Sequence, residues 1–230
     1  MELQKVTVGE VPTRRRYDDA CGTAHGLELI GERWALLVLR ELLLGPKRFG
    51  DLRADLPGIS AKTLTERLER LEGSGLLIRR RLPPPVSAQV YELTPWGYEA
   101  EPIVQALGRW AARSPAHDPT LPISATSIML SLRTMFSPER ARGLHARIGF
   151  RIGHETFLAE LDEGIMTLGR GDAAQGQAMF AGPGPLIAAA IYAKPPFAEL
   201  GPDMVVTGDL DLAERFRSIF ELPPKAEMPR

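Results

Sequence analysis

The stretch from Pro46 to Leu93, PKRFGDLRADLPGISAKTLTERLERLEGSGLLIRRRLPPPVSAQVYEL, constrains this chain more than any other. Phe49, Leu52 and Leu56 form the apolar side of a short helix that Pro57-Gly58 ends. A second helix is expected from Ala61 to Glu72. It carries Leu64, Leu68 and Leu71 on one face and Lys62, Thr63, Glu66, Arg67 and Arg70 on the other. Ser60 suits its N-cap, where a hydroxyl can accept a backbone N–H that lacks an intrahelical partner. Gly73-Ser74-Gly75 is a stop signal. Two strand-like arms follow, Leu76 to Leu82 and Gln89 to Leu93, the first bearing Arg79-Arg80-Arg81. Prolines stiffen the tip that joins them and limit further pairing.

The flanks extend this pattern. Ala24, Leu27, Ile30, Trp34, Leu37 and Val38 recur at helical spacing, Gly31 divides them into two helices, and Gly45-Pro46 closes the second. Thr94-Pro95 restarts a helix with the cap and first-turn proline in their favoured places, and Pro102 is expected to bend it. Tyr98, Ile103, Leu107 and Trp110 give that helix an apolar stripe. So small a domain cannot bury it internally, so packing against the same helix of a second subunit is expected: a homodimer interface. Helix, turn, helix and basic hairpin, in that order, make a winged helix that meets double-stranded DNA. Lys62, Thr63 and Arg67 are then placed at base edges in the major groove. Arg48, Ser60, Arg80 and Arg81 are placed on phosphates.

A chain of 230 residues, 44% hydrophobic and 25% charged, has the composition of a soluble globular protein of one large or two ordinary domains. The net charge of -1 argues neither for nor against nucleic acid. It divides weakly, at roughly +2 up to Arg113 and roughly -3 beyond. Cys21 is the only cysteine, so no intrachain disulfide can form and a reducing, cytoplasmic setting is expected. No apolar run approaches the roughly 18 residues of a bilayer span, and MELQKVTVGE lacks the apolar core of a signal peptide. Residues 1–16, with Arg14-Arg15-Arg16, are expected to form a flexible arm. The run RSPAHDPTLP is the best linker, which sets a DNA-binding domain at 17–113, a linker at 114–122 and a second domain at 123–230.

In the second domain a helix is expected over Ile128 to Phe136. Strands follow at Ala146–Ile152, Glu155–Leu161, Ile165–Gly169, Gln177–Ala181 and Met204–Thr207. Asp162-Glu163-Gly164 reads as a hairpin turn. Leu186 to Tyr192 is too short to span a membrane and reads as a buried helix. Asp209 or Asp211 caps a terminal helix whose Leu212, Phe216 and Ile219 face inward. The whole is α+β.

The first half, about Cys21 to Trp110, resembles the HxlR-type winged-helix transcription regulators. The resemblance is carried by Cys21, Glu32-Arg33-Trp34, Arg48-Phe49 with Leu52, Gly58-Ile59-Ser60, Leu64-Thr65, Leu68 and Leu71-Glu72. It continues through Gly75-Leu76, Tyr91-Glu92-Leu93-Thr94, Gly97 and Trp110. It implies a dimer that reads a near-palindromic operator, and the chain is read as a transcription regulator that represses. Two departures are Gly22, where relatives often have proline, and a longer, more proline-rich wing. The second half, about Ile123 to Leu222, resembles a sterol-carrier-protein-type lipid-binding domain. Its cues are GIMTLGRGD, Leu186 to Tyr192, Met204-Val205-Val206-Thr207-Gly208-Asp209 and LAERFRSIF. That resemblance implies a sheet covered by helices around an apolar cavity. Phe157, Leu186, Ile187, Ile191, Met204 and Phe216 are the candidates to line it around a small hydrophobic ligand.

Cys21 is a candidate redox switch, which requires a lowered thiol pKa; Asp18-Asp19 just upstream oppose it. His145 and His154 with Glu155, Asp162 and Asp172 match no closed ligand set, so no metal is expected. No nucleophile elbow, phosphate loop or dinucleotide fingerprint occurs, and neither an enzyme nor a cofactor is expected. The rival to a DNA-binding regulator is a lipid-binding protein in which DNA contact is secondary.

Overall fold

The computed structural model describes residues 17–83 and 87–227. The arginine run Arg14-Arg15-Arg16 and the wing-tip residues Pro84 and Pro85 lie outside the described residues.

The N-terminal half opens with α1 (Gly22–Ile30) and α2 (Ala35–Leu42), separated where expected at Gly31. α3 (Phe49–Asp55) buries Leu52, and Leu56 seals its end. α4 (Ala61–Gly73) buries Leu64, Leu68 and Leu71, the three leucines its period selects. Ser60 caps it, its hydroxyl accepting from the Thr63 N–H at 3.0 Å. The hairpin strands β1 (Leu77–Arg81) and β2 (Gln89–Leu93) pair antiparallel, with Arg79 opposite Tyr91. Lys47 adds a short bridge to Tyr91 through both backbone hydrogen bonds.

Thr94 caps α5 (Pro95–Tyr98), accepting from the Gly97 N–H at 3.0 Å. Gly97 must be glycine for steric reasons: a Cβ there would stand 2.0 Å from the Leu76 carbonyl oxygen. Pro102 does not bend a long helix. The chain breaks at Glu99–Ala100, and Pro102 falls in the first turn of a separate α6 (Glu101–Ala112). A missing N–H is harmless in that turn.

α7 (Ala125–Met135) begins the C-terminal half, capped by Ser124. Strands β3 (Ala146–Ile152), β4 (Glu155–Asp162), β5 (Ile165–Arg170), β6 (Ala178–Ala181) and β7 (Val205–Gly208) form one sheet in the order β5-β4-β3-β6-β7. Only β3 and β6 run parallel. The β4–β5 turn holds Glu163 and Gly164 at φ 46° and 82°, the left-handed pair that a tight hairpin needs. Leu186 to Tyr192 is helical but not uniform: α8 (Gly184–Ala188) passes into one wide turn over Ala189–Ala193. α9 (Leu210–Ser218) is capped by Asp209, and Phe216 and Ile219 are buried.

One face of the sheet carries an aromatic core. Phe150 stacks on Phe180 at 5.7 Å, and Phe216 meets both at 5.8 and 6.1 Å. Each such ring removed from water is worth roughly 2–3 kcal/mol. This core is continuous with the leucine core under α2, α3 and α4. The two halves are therefore in contact, through α6 against α7 and α2 against α7.

Candidate nucleic-acid interface

α4 presents a polar face opposite its three leucines. The Lys62 side chain is 87% exposed, with Glu66 one turn on at 4.0 Å. Thr65 also faces out, its hydroxyl donating back to the Ala61 carbonyl. Thr63 is half-buried, and its hydroxyl is shared with Ser60 at 2.8 Å, inside the cap. Arg48 is exposed at the start of α3, where its backbone N–H donates to Asp51 at 3.2 Å.

Arg67 departs from the expected arrangement. Its side chain is 16% exposed and turned back onto Glu32, which it shares with Arg70. The reason is positional: Arg67 lies three residues after Leu64 and four before Leu71, so it sits on the shoulder of the buried face. Glu32, in the turn between α1 and α2, meets it there. In this position Arg67 ties α4 to that turn instead of standing on the open face of the helix.

The arginines of the wing are not equivalent. Arg79 donates to Glu72 at 2.9 Å and lies over the Tyr91 ring, fastening β1 to α4 and β2. Arg80 is paired with Glu92 at 2.8 Å. Arg81 is exposed and touches only the Ser87 hydroxyl, at 3.4 Å, among the described residues. Among the described residues it is the least engaged of the three wing arginines.

α6 has two unlike faces. Val104 packs against the core, and Glu101 pairs with Arg133 of α7 at 2.7 Å. The outer face shows Ile103, Leu107 and Trp110 to solvent, with Tyr98 alongside; Trp110 is 71% exposed.

Cys21 is exposed at the N-cap of α1. The Thr23 backbone N–H, the Thr23 hydroxyl and the Ala24 N–H together hold its thiol below the ordinary cysteine range. Phe157, Ile187, Ile191, Met204 and Phe216 are all buried in the continuous core, with Leu186 at its half-buried rim. His145 contacts Asp162 and Glu163, and among the described residues no group of side chains is arranged to hold a metal ion. No helix among them is long and apolar enough to cross a membrane.

One cluster has no local signature in the sequence. Lys47, 3% exposed, is surrounded by Glu41 at 3.0 Å, Asp55 at 2.6 Å and Glu155 at 3.7 Å. Burial alone would push its ammonium group's pKa down; the carboxylates outweigh that and hold it above the usual lysine range. Burial pushes the Asp55 carboxyl up, and Lys47 offsets this only in part. Glu41, fully buried, also accepts from Arg40, from Ser124 at 2.8 Å and from Ser127 at 3.3 Å. Arg170 donates to Glu155 and, at 3.0 Å, to the Leu44 carbonyl. Two clefts of about 540 and 600 Å³ open along this seam between the halves.

A helix-turn-helix with a capped, outward-facing second helix and an arginine-bearing hairpin defines a winged-helix protein. The HxlR-like helix-turn-helix family matches residues 29–118. An uncharacterised HTH-type transcriptional regulator of Synechocystis, sll1512, is 43% identical over 88 residues, which is 38% of this chain and 64% of that protein. The Bacillus subtilis regulator YkvN is 39% identical over 94 residues, covering 40% of this chain and 77% of that one. The transcriptional regulator YodB of B. subtilis, solved in its reduced form, is 33% identical over 43% of this chain and 98% of its own, with a TM-score of 0.38. The chain belongs to the HxlR-like helix-turn-helix family, and the three relatives just named are transcription regulators.

Proposed function

We propose that this chain is a cytoplasmic, dimeric transcription regulator that represses by binding a near-palindromic operator. The observation that carries the reading is α4, with its leucine face sealed, its N-terminus capped by Ser60 and Lys62 fully offered to solvent, in the segment the family matches. Lys62 then reads a base edge, with Thr65 and Glu66 beside it. Arg48, Arg81 and the N-terminus of α4 hold phosphates, and Arg80 joins them by releasing Glu92. The stripe of Tyr98, Ile103, Leu107 and Trp110 is the dimer contact. The domain limits at 113 and 123 separate this reader from a C-terminal lobe of sterol-carrier type. In that lobe Phe157, Ile187, Ile191, Met204 and Phe216 are packed into the core with Leu186 at its rim, so a small hydrophobic ligand would enter only by separating them. Such a ligand regulates only by binding the DNA-competent and incompetent states with different affinity.

The test is a genome-wide selection of DNA fragments with the full chain, followed by footprinting. Enrichment of a two-fold symmetric sequence is expected. Lys62→Ala should relax preference at one position of each half-site, whereas Arg81→Ala should weaken all DNA about equally. Failure of any sequence to enrich would overturn the reading.

A second reading is favoured by the exposed, acidified thiol of Cys21, which suits oxidant sensing. Loss of an oxidant effect on DNA binding in Cys21→Ser would support it, and an unaltered effect would exclude Cys21.

A further inference from the structure

Lys47 joins four elements at one point. Its backbone is bonded both ways to Tyr91 of the wing, at 3.1 and 2.9 Å, so it forms a one-residue bridge to β2. Its ammonium group contacts Glu41 of α2 and Asp55 of α3. The fourth contact comes from the other half of the chain: Glu155, at the start of β4, reaches it at 3.7 Å while nine-tenths buried. Glu155 is itself held by Arg170 of β5, whose guanidinium lies over the Phe157 ring on the aromatic face of the sheet. An unbroken line of contacts thus runs from the sheet core to the loop that aims α3 and the wing.

We propose that Glu155 is a positioning residue for the DNA reader: through Lys47, the C-terminal lobe fixes the spacing of α3 and the wing. The proposal rests on the reading of the winged helix as a DNA-binding module. The physical case is one of preorganisation. Lys47 is held from three sides, and its main chain cannot shift without moving both the start of α3 and its bridge to β2. Without the carboxylate of Glu155, Lys47 keeps Glu41 and Asp55, so the winged helix stays folded, but its loop loses its ion pair to the C-terminal lobe. Phosphate contacts made from α3 and from the wing would then have to be ordered on binding, which costs affinity. The same line gives any change in the lobe a route to the reader, since Arg170 also bonds the carbonyl of Leu44, two residues past α2.

The experiment compares the full chain with Glu155→Gln, Glu155→Asp and a control, Glu160→Gln, on the exposed side of the same strand. Two quantities are read: affinity for the selected operator, and hydrogen exchange at the Lys47 and Tyr91 amides. Glu155→Gln should weaken operator binding about fivefold or more, within the usual range of coupling between sites, and should speed exchange at both amides. Glu155→Asp, shorter but still charged, should fall between it and the wild type, and it carries the test should Glu155→Gln not fold. Glu160→Gln should match the wild type on both counts. Unchanged affinity in the Glu155 variants, or unchanged exchange, overturns the proposal. Absence of specific DNA binding by the wild type would instead overturn the functional reading, and the wild-type selection shows that on its own.

Discussion

The side chain whose chemistry is most open to direct measurement is Cys21. Three hydrogen-bond donors at the start of α1 favour its thiolate, and the nearby Asp19 is occupied in accepting the Cys21 backbone N–H at 2.9 Å. The thiol should therefore titrate below the ordinary value of 9.0 in the folded chain. Alkylation rates with iodoacetamide, followed against pH, should show a midpoint below that value and move back up in urea; equal midpoints would remove the basis for a sensing role. Single residues whose partners lie close in sequence are legible from the sequence alone. Ser60 and Thr94 cap helices as their positions imply, and Asp209 is the one of the pair Asp209 and Asp211 that caps α9, because a cap needs only the next three residues. Arg67 is not legible in that way, since Glu32 lies 35 residues away. Helical periodicity says which side of α4 is buried but not which acidic group waits on its shoulder.

At the scale of the element, α4 depends on its first turn. Ser60→Ala removes the acceptor for the Thr63 N–H and should cost about 1 kcal/mol of stability. A urea titration of the full chain would read this, and a loss below a few tenths would show that Thr63 or solvent satisfies the turn unaided. Strands β3, β4 and β5 are recoverable from the sequence to within a residue at each end because alternation and tight turns are local properties. Two elements differ from the expected ones. Pro102 begins a helix rather than bending one, and the helix after Gly184 widens into a turn that ends at Lys194, with φ 53°. Neither follows from hydrophobic pattern, which is blind to backbone hydrogen-bond register.

Over the whole molecule, α6 packs on one side against α7, and among the described residues its other side is exposed. Trp110→Glu combined with Leu107→Glu should leave the fold intact, since both side chains face solvent, and should convert a dimer to a monomer in sedimentation velocity. A single unshifted boundary would place the subunit contact elsewhere. That stripe can be read from sequence, whereas the joining of the two halves cannot. Glu41, Lys47, Asp55, Ser124, Ser127 and Glu155 are scattered across the chain, and each alone looks like an ordinary surface group. Their burial also separates two kinds of electrostatics in one protein. Mobile ions screen exposed charges over roughly 10 Å at 0.1 M salt and roughly 3 Å at 1 M, but they act weakly on a pair from which water is excluded. Lys62 and Arg81 stand in that ionic atmosphere, and Lys47 does not. Concentrated salt should therefore lift the protein from its DNA while leaving its two halves joined.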